Sequence, residues 1–238
     1  MEQMQNANRK RNLALTLVSV CHCSAVMIWV LTSEQDRSWM YGSILMMIII
    51  LGAFYAGFEK GRPHARTVVL IAVMVTLAVA GRAAFFWIPQ FKPIIAVVVI
   101  GGVAMGAQSG FVIGSMSALV SNFIFGQGPW TVFQMVAWGL IGMLAGLIFC
   151  GRDMGSRLEM TGLLIFAAGS CFVIHGGITD MWTAFSISDH PTLGTLLTVY
   201  GTGLIADAVL AAATVIFLLA LTRPMLKKIN RVKLKYGM

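Results

Sequence analysis

Charge is what this chain has least of. Asp, Glu, Lys and Arg make up only 11% of its 238 residues, against roughly a quarter in an ordinary soluble domain. Hydrophobic residues make up 58%, and the mean hydropathy is +0.84. So little charge cannot cover a water-facing surface, which excludes a soluble globular enzyme. Disorder is excluded too, because it requires low hydrophobicity and high net charge. Cysteine is limited to Cys21, Cys23, Cys150 and Cys171. All lie in or beside apolar runs, and no CxxC or second cluster answers the Cys-His-Cys triplet, so they read as reduced, packed side chains. No HExxH, GxSxG or Walker sequence occurs. Catalysis by this chain is therefore not expected, nor is a bound cofactor or metal; a lone histidine in each of two helices, His22 and His175, is weak support for haem. No small-x-small site follows the first apolar run, so a cleavable signal peptide is not expected either.

What is present is a series of apolar runs. A bilayer core of about 30 Å takes about 20 helical residues. Runs of that kind occupy 13–31, 41–58, 67–88, 130–149, 158–178 and 193–221. Residues 94–125 are also apolar, but as one helix they would extend about 48 Å at 1.5 Å per residue. The stretch GGVAMGAQSG interrupts them, which predicts a short helix over 94–104, a turn, and a longer helix over 108–125. The fold class is all-α: a polytopic membrane bundle of eight helices.

The basic residues support this division. Fourteen of the seventeen Lys and Arg fall in the N-terminal tail, the 59–66 loop, the 151–157 loop and the C-terminal tail. Arg37 and Lys92 fall on the other side, and Arg82 within a span. By the positive-inside rule, both termini and the two basic loops are expected in the cytoplasm. A single helix over 94–125 would put the 151–157 loop and the C-terminal tail on opposite sides. The basic clusters abut apolar spans, so they read as anchors on anionic lipid and not as a nucleic-acid surface.

Polar groups inside the spans are the candidates for function, since a charge there is costly. Arg82 and Asp207 stand out, and are expected to form an intramembrane ion pair. The rival is a protonated Asp207 bonded to a neighbouring helix, with Arg82 reaching outward or meeting an anionic group of the ligand. Asn122, Gln108, Gln134 and His175 are milder, and an interhelical hydrogen bond is their ordinary role. His175 and Asp180 are five apart, a poor spacing for one helical face. The non-cytoplasmic side mixes aromatics with amides: Trp87, Gln90 and Lys92 in one loop, Gln127, Trp130, Gln134 and Trp138 around the next helix start, Trp182 and Tyr200 beyond. Some are interfacial belt residues. As a group they suit a pocket that stacks a planar organic ligand and orients it by hydrogen bonds. Small residues recur at four-residue spacing, in the pairs Gly110/Gly114 and Gly142/Gly146 and in the stripe Ala72, Thr76, Ala80 and Ala84. The pairs fit internal packing; the stripe is long enough to dock another protein.

The strings GRAAF, SNFIFGQGPW and QMVAWGLIG, within residues 59–149, resemble the substrate-binding S components of energy-coupling-factor (ECF) vitamin transporters, in a cobalamin-type branch. The resemblance implies a six-helix binding core over 59–222, a two-helix extension over 1–58 and a basic tail over 223–238. It implies a prokaryotic cell membrane, and a vitamin or precursor, such as a corrinoid, bound from outside by the loop after the first core helix and the last three helices. The partners it implies are a transmembrane scaffold subunit and two cytoplasmic ATPases. It maps the family's scaffold-facing small residues onto Ala72, Thr76, Ala80 and Ala84, with Thr76 interrupting the alanines. Two other readings stay open: a membrane assembly or sensor subunit using the same small-residue faces, and a stand-alone secondary transporter, for which no clear repeat is visible.

Overall fold

The computed structural model describes residues 38–60, 63–188 and 191–237, and their regular structure is entirely helical. The run expected at 13–31, with His22, Cys21 and Cys23, lies outside the described residues. The helices are α1 (Ser38–Lys60), α2 (Ala65–Ala84), α3 (Ile94–Met105), α4 (Ala107–Phe125), α5 (Trp130–Phe149), α6 (Arg157–Ser170), α7 (Gly177–Ile187) and α8 (Leu193–Tyr236). A π-helical stretch, Cys171–Gly176, joins α6 to α7. Five helical stretches are long and apolar enough to cross a membrane: α2, α4, α5, α8 and the continuous Arg157–Ile187. The described chain is a multi-pass membrane bundle.

The break expected within 94–125 is present. Gly106 has φ 85°, a backbone region glycine enters without a Cβ penalty, and it lets α4 turn back along α3. Every residue of α3 except Met105 is buried, as expected of a helix that is apolar all round. α4 and α5 lie backbone to backbone: a Cβ on Gly110 would sit 2.2 Å from the Gly142 carbonyl oxygen, and one on Gly142 2.2 Å from that of Gly110. The GxxxG pairs therefore serve internal packing.

Three boundaries differ from the expectation. α2 stops at Ala84, not 88, because the chain turns through 85–93, where Pro89 and Pro93 lack a donor and Gln90 takes φ 55°. The span expected to end at 178 continues to Ile187, since Ile178, Met181, Ala184 and Phe185 carry its buried face onward. α8 runs to Tyr236 through Pro224, so residues 223–236 continue the last helix. Contacts on both sides of the proline hold those turns: Arg223 Nη2 donates to the Gly155 carbonyl at 3.2 Å, Lys233 Nζ to the Ala104 carbonyl at 2.8 Å, and Arg66 to the Tyr236 carbonyl. Ala104 lies in the last turn of α3, where carbonyls lack helical partners and a cation is favoured.

α8 runs antiparallel to α2. Phe85 meets Phe217 edge-on, 5.0 Å between ring centroids, and Arg66 meets Tyr236 at the opposite end. Arg66, Arg223 and Lys233 thus gather at one end of the bundle, and Lys92, just before α3, lies at the other.

Candidate ligand cavity

A cavity of about 340 Å³ lies among α2, the 85–93 turn, α5, α7 and α8. Its walls hold Gln90, Lys92, Trp130, Gln134, Trp138 and Trp182 of the residues expected to bind ligand, together with Arg82 and Asp207. Three expected residues are elsewhere. Trp87 is 86% exposed and rests on Phe86. Gln127 donates to the Leu119 carbonyl and accepts from Thr131. Tyr200 donates its hydroxyl to the Gly177 carbonyl at 2.8 Å, tying α8 to α7.

Arg82 does not pair with Asp207. Its Nη1 donates to Ser121 Oγ at 2.5 Å and to Asn122 Oδ1 at 2.8 Å, because α2 packs along α4 and these neutral acceptors are the groups in reach. The guanidinium also lies over the Phe125 and Trp138 rings, 4.9 and 5.6 Å from their centroids, a favourable placement for a cation. Arginine has no acceptor, so it fixes the orientation of the amides behind it. Asn122 must offer Oδ1 to Arg82, and its Nδ2 donates to Thr131 Oγ1 at 3.0 Å and Gln134 Oε1 at 2.8 Å. Gln134 then keeps both donors of its Nε2 for the cavity. Asn122, 1% exposed, is the hidden joint of this relay.

The opposite wall is formed by α7 and α8 and brings in residues not expected to bind ligand. His175, Thr179 and Asp180 line the cavity beside Gly203, Ala206 and Leu210. The five-residue spacing of His175 and Asp180 does not keep them from one cavity. His175 lies in the π-helical stretch and Asp180 in the first turn of α7, and the cavity is wide enough for both to line it. Trp138 Nε1 donates to His175 Nδ1 at 3.1 Å; tryptophan only donates, so neutral His175 carries its proton on Nε2. In the 85–93 turn, burial first and the Arg82 charge second push the Lys92 ammonium below the usual lysine range.

Among the described residues no group of three or more His, Cys, Asp or Glu is placed to hold a metal. Cys150 and Cys171 are free thiols. The stripe Ala72, Thr76, Ala80 and Ala84 lies on the exposed face of α2. Thr76 turns its hydroxyl back to the Ala72 carbonyl at 2.9 Å, so it presents no unmet donor there.

Among known proteins, this chain is similar over part of its length to UPF0397 proteins. Those of Aliivibrio fischeri strain MJ11 and Aliivibrio salmonicida strain LFI1238 are each 34% identical over 88 residues, and that of Vibrio atlanticus strain LGP32 is 33% identical over 88 residues. The matched segment is 35% of this chain and 48% of each relative, so the chain spans about half the length of the curated relatives it matches. Their names state no activity. No protein-family model matches the chain, and no solved structure matches it.

Proposed function

We propose that this chain is the substrate-binding subunit of an ECF-type importer in a prokaryotic cell membrane. It holds a vitamin or vitamin precursor in the cavity, while a scaffold subunit and two ATPases supply the energy. In this reading residues 59–222 are the six-helix binding core, the helices before it an extension, and the end bearing Arg66, Arg223 and Lys233 faces the cytoplasm by the positive-inside rule. The chain itself is not an enzyme. The observation that carries the reading is one cavity that combines three tryptophans with the Arg82–Asn122–Gln134 relay, the mix of apolar walls and few oriented polar groups that a ligand site requires. Its volume of about 340 Å³ is near the lower end of ligand pockets, roughly 300–1,000 Å³. That favours a precursor-sized heterocycle over a whole corrinoid.

The exposed α2 stripe supports the scaffold contact, since small side chains let helix backbones approach closely. The test is mass spectrometry of compounds retained by the purified chain, followed by calorimetry with a vitamin panel. One compound should bind at one site per chain without ATP. Finding neither a retained compound nor binding heat would overturn the reading. Ala80→Trp should block assembly with the scaffold and spare ligand binding; normal assembly would move the docking face elsewhere.

A further inference from the structure

The α7–α8 hairpin carries one spacing twice: Gly176-x-x-x-Asp180 and Gly203-x-x-x-Asp207. The two helices run antiparallel, so each glycine faces the other helix's aspartate. A Cβ on Gly176 would lie 2.0 Å from Asp207 Oδ2, and one on Gly203 2.2 Å from Asp180 Oδ2. Each carboxylate therefore sits in the notch left by the opposite glycine. Four residues rise about 6 Å along a helix, so the two carboxylates form neighbouring rungs, and both line the cavity. Asp207 is only 6% exposed. Neither aspartate has an ion pair or hydrogen-bond partner among the described residues.

The cavity's own cations do not answer these carboxylates. Arg82 is engaged by Ser121, Asn122 and the Trp138 face. The Trp138 ring under Arg82 is in turn hydrogen-bonded to His175. A buried carboxylate without a counter-charge is costly, and a cationic edge of a molecule in the cavity would supply that counter-charge. On the reading of this cavity as the substrate site, we propose that Asp180 and Asp207 select the nitrogen-bearing edge of the ligand. The ligand class is an aromatic compound with a cationic amidine- or amine-type N–H edge. Its ring lies against the tryptophans and its N–H groups donate to the two carboxylates, as a guanidinium does to a carboxylate.

Trp130, Trp138 and Trp182 line the cavity, so intrinsic fluorescence reports occupancy. Benzamidine, benzamide and benzoate share a ring and differ in charge. Benzamidine should bind the full chain in detergent at least ten-fold more tightly than benzamide. Asp207→Asn and Asp180→Asn should each remove most of that preference. Asp180 is less buried than Asp207, so Asp180→Asn carries the test if Asp207→Asn does not fold. Equal binding of benzamidine and benzamide would overturn the proposal. So would a preference for benzoate, which would assign recognition to Arg82 and Lys92, or displacement of benzamidine by micromolar calcium or magnesium, which would make the rungs a metal site. A preference unchanged in both variants would also overturn it. Binding without charge preference leaves the substrate-site reading standing, whereas no binding by any probe counts against both.

Discussion

Between α4 and α5, Gly110 and Gly142 let two backbones touch. Between α7 and α8, Gly176 and Gly203 leave the same kind of notch, and carboxylates occupy it. The first pair sits in the core beside α3, buried along all but its last residue; the second borders a cavity. A small residue at four-residue spacing therefore announces a notch and leaves its occupant open. What fills it depends on the residue one turn along. Beyond Gly110 and Gly142 stand Gly114 and Gly146, and beyond Gly176 and Gly203 stand Asp180 and Asp207. One hairpin is cement, and the other presents carboxyl groups to a cavity.

The largest effect should come from filling the backbone notch. In Gly142→Ala the new Cβ meets a carbonyl oxygen that belongs to the opposing helix. It cannot swing aside, and overpacking of this kind costs about 3 kcal/mol at the upper end. Thermal unfolding in detergent should show the loss. A Gly142→Ala protein as stable as the wild type would mean that α4 and α5 are not locked by backbone contact.

Next is Asn122→Ala, which acts through the wall of the cavity. It removes one of the two acceptors of Arg82 and the donor to Gln134 at a position 1% exposed. Leaving such groups unmet costs about 2 kcal/mol. Ligand affinity should fall with it, because the Gln134 amide is then free to flip. Loss of stability with undiminished binding would take Gln134 out of the ligand set.

Gly203→Ala sharpens the contrast with Gly142→Ala. Its new Cβ also lies close to an oxygen, but that oxygen ends the Asp180 side chain, which has torsions to yield. The stability cost should stay under about 1 kcal/mol, below the usual range for a strained core. Benzamidine binding should weaken about ten-fold, since one rung is displaced. Equal destabilisation by Gly203→Ala and Gly142→Ala would erase the distinction between the two hairpins.

These differences show which parts of the molecule the sequence made legible. The break in 94–125 was readable because helix length is arithmetic and glycine supplies the turn at Gly106. Trp130, Gln134, Trp138 and Trp182 were readable as a mixed aromatic and amide set at one end. The place of Asp180 in the cavity wall was not, because it depends on how α7 packs against Gly203 of α8, which no spacing within α7 shows. Nor was the partner of Arg82. Opposite charge pointed to Asp207, but the choice is made by which helix lies alongside, and α4 offers Ser121 and Asn122 first. The reach of α8 past 221 was hidden for a related reason. Hydropathy falls and Pro224 intervenes, while the contacts that keep the helix intact come from Gly155, Ala104 and Arg66, all remote in sequence.

The smallest expected effect is at Lys92, and its sign follows from linkage. Burial, then the Arg82 charge, hold its ammonium below the ordinary lysine value, while in the unfolded chain it titrates at that value. At neutral pH both states are protonated, and the folded state bears the full cost of the charge. Between the two values the unfolded chain keeps a proton that the folded chain has released, so stability rises with pH across that alkaline window. Above the unfolded value this contribution is constant. Lys92→Met keeps most of the stem and removes the charge. It should therefore raise the melting temperature slightly at pH 7 and flatten the alkaline rise, so that mutant and wild type converge near pH 11, about where an ordinary lysine has lost its proton. The gain is small because Lys92 is only half-buried and water screens part of its charge. Melting curves in detergent at pH 7 and pH 11 decide it. A Lys92→Met protein that melts lower by the same amount at both pH values would show that packing of the lysine stem, and not its charge, is what the 85–93 turn depends on.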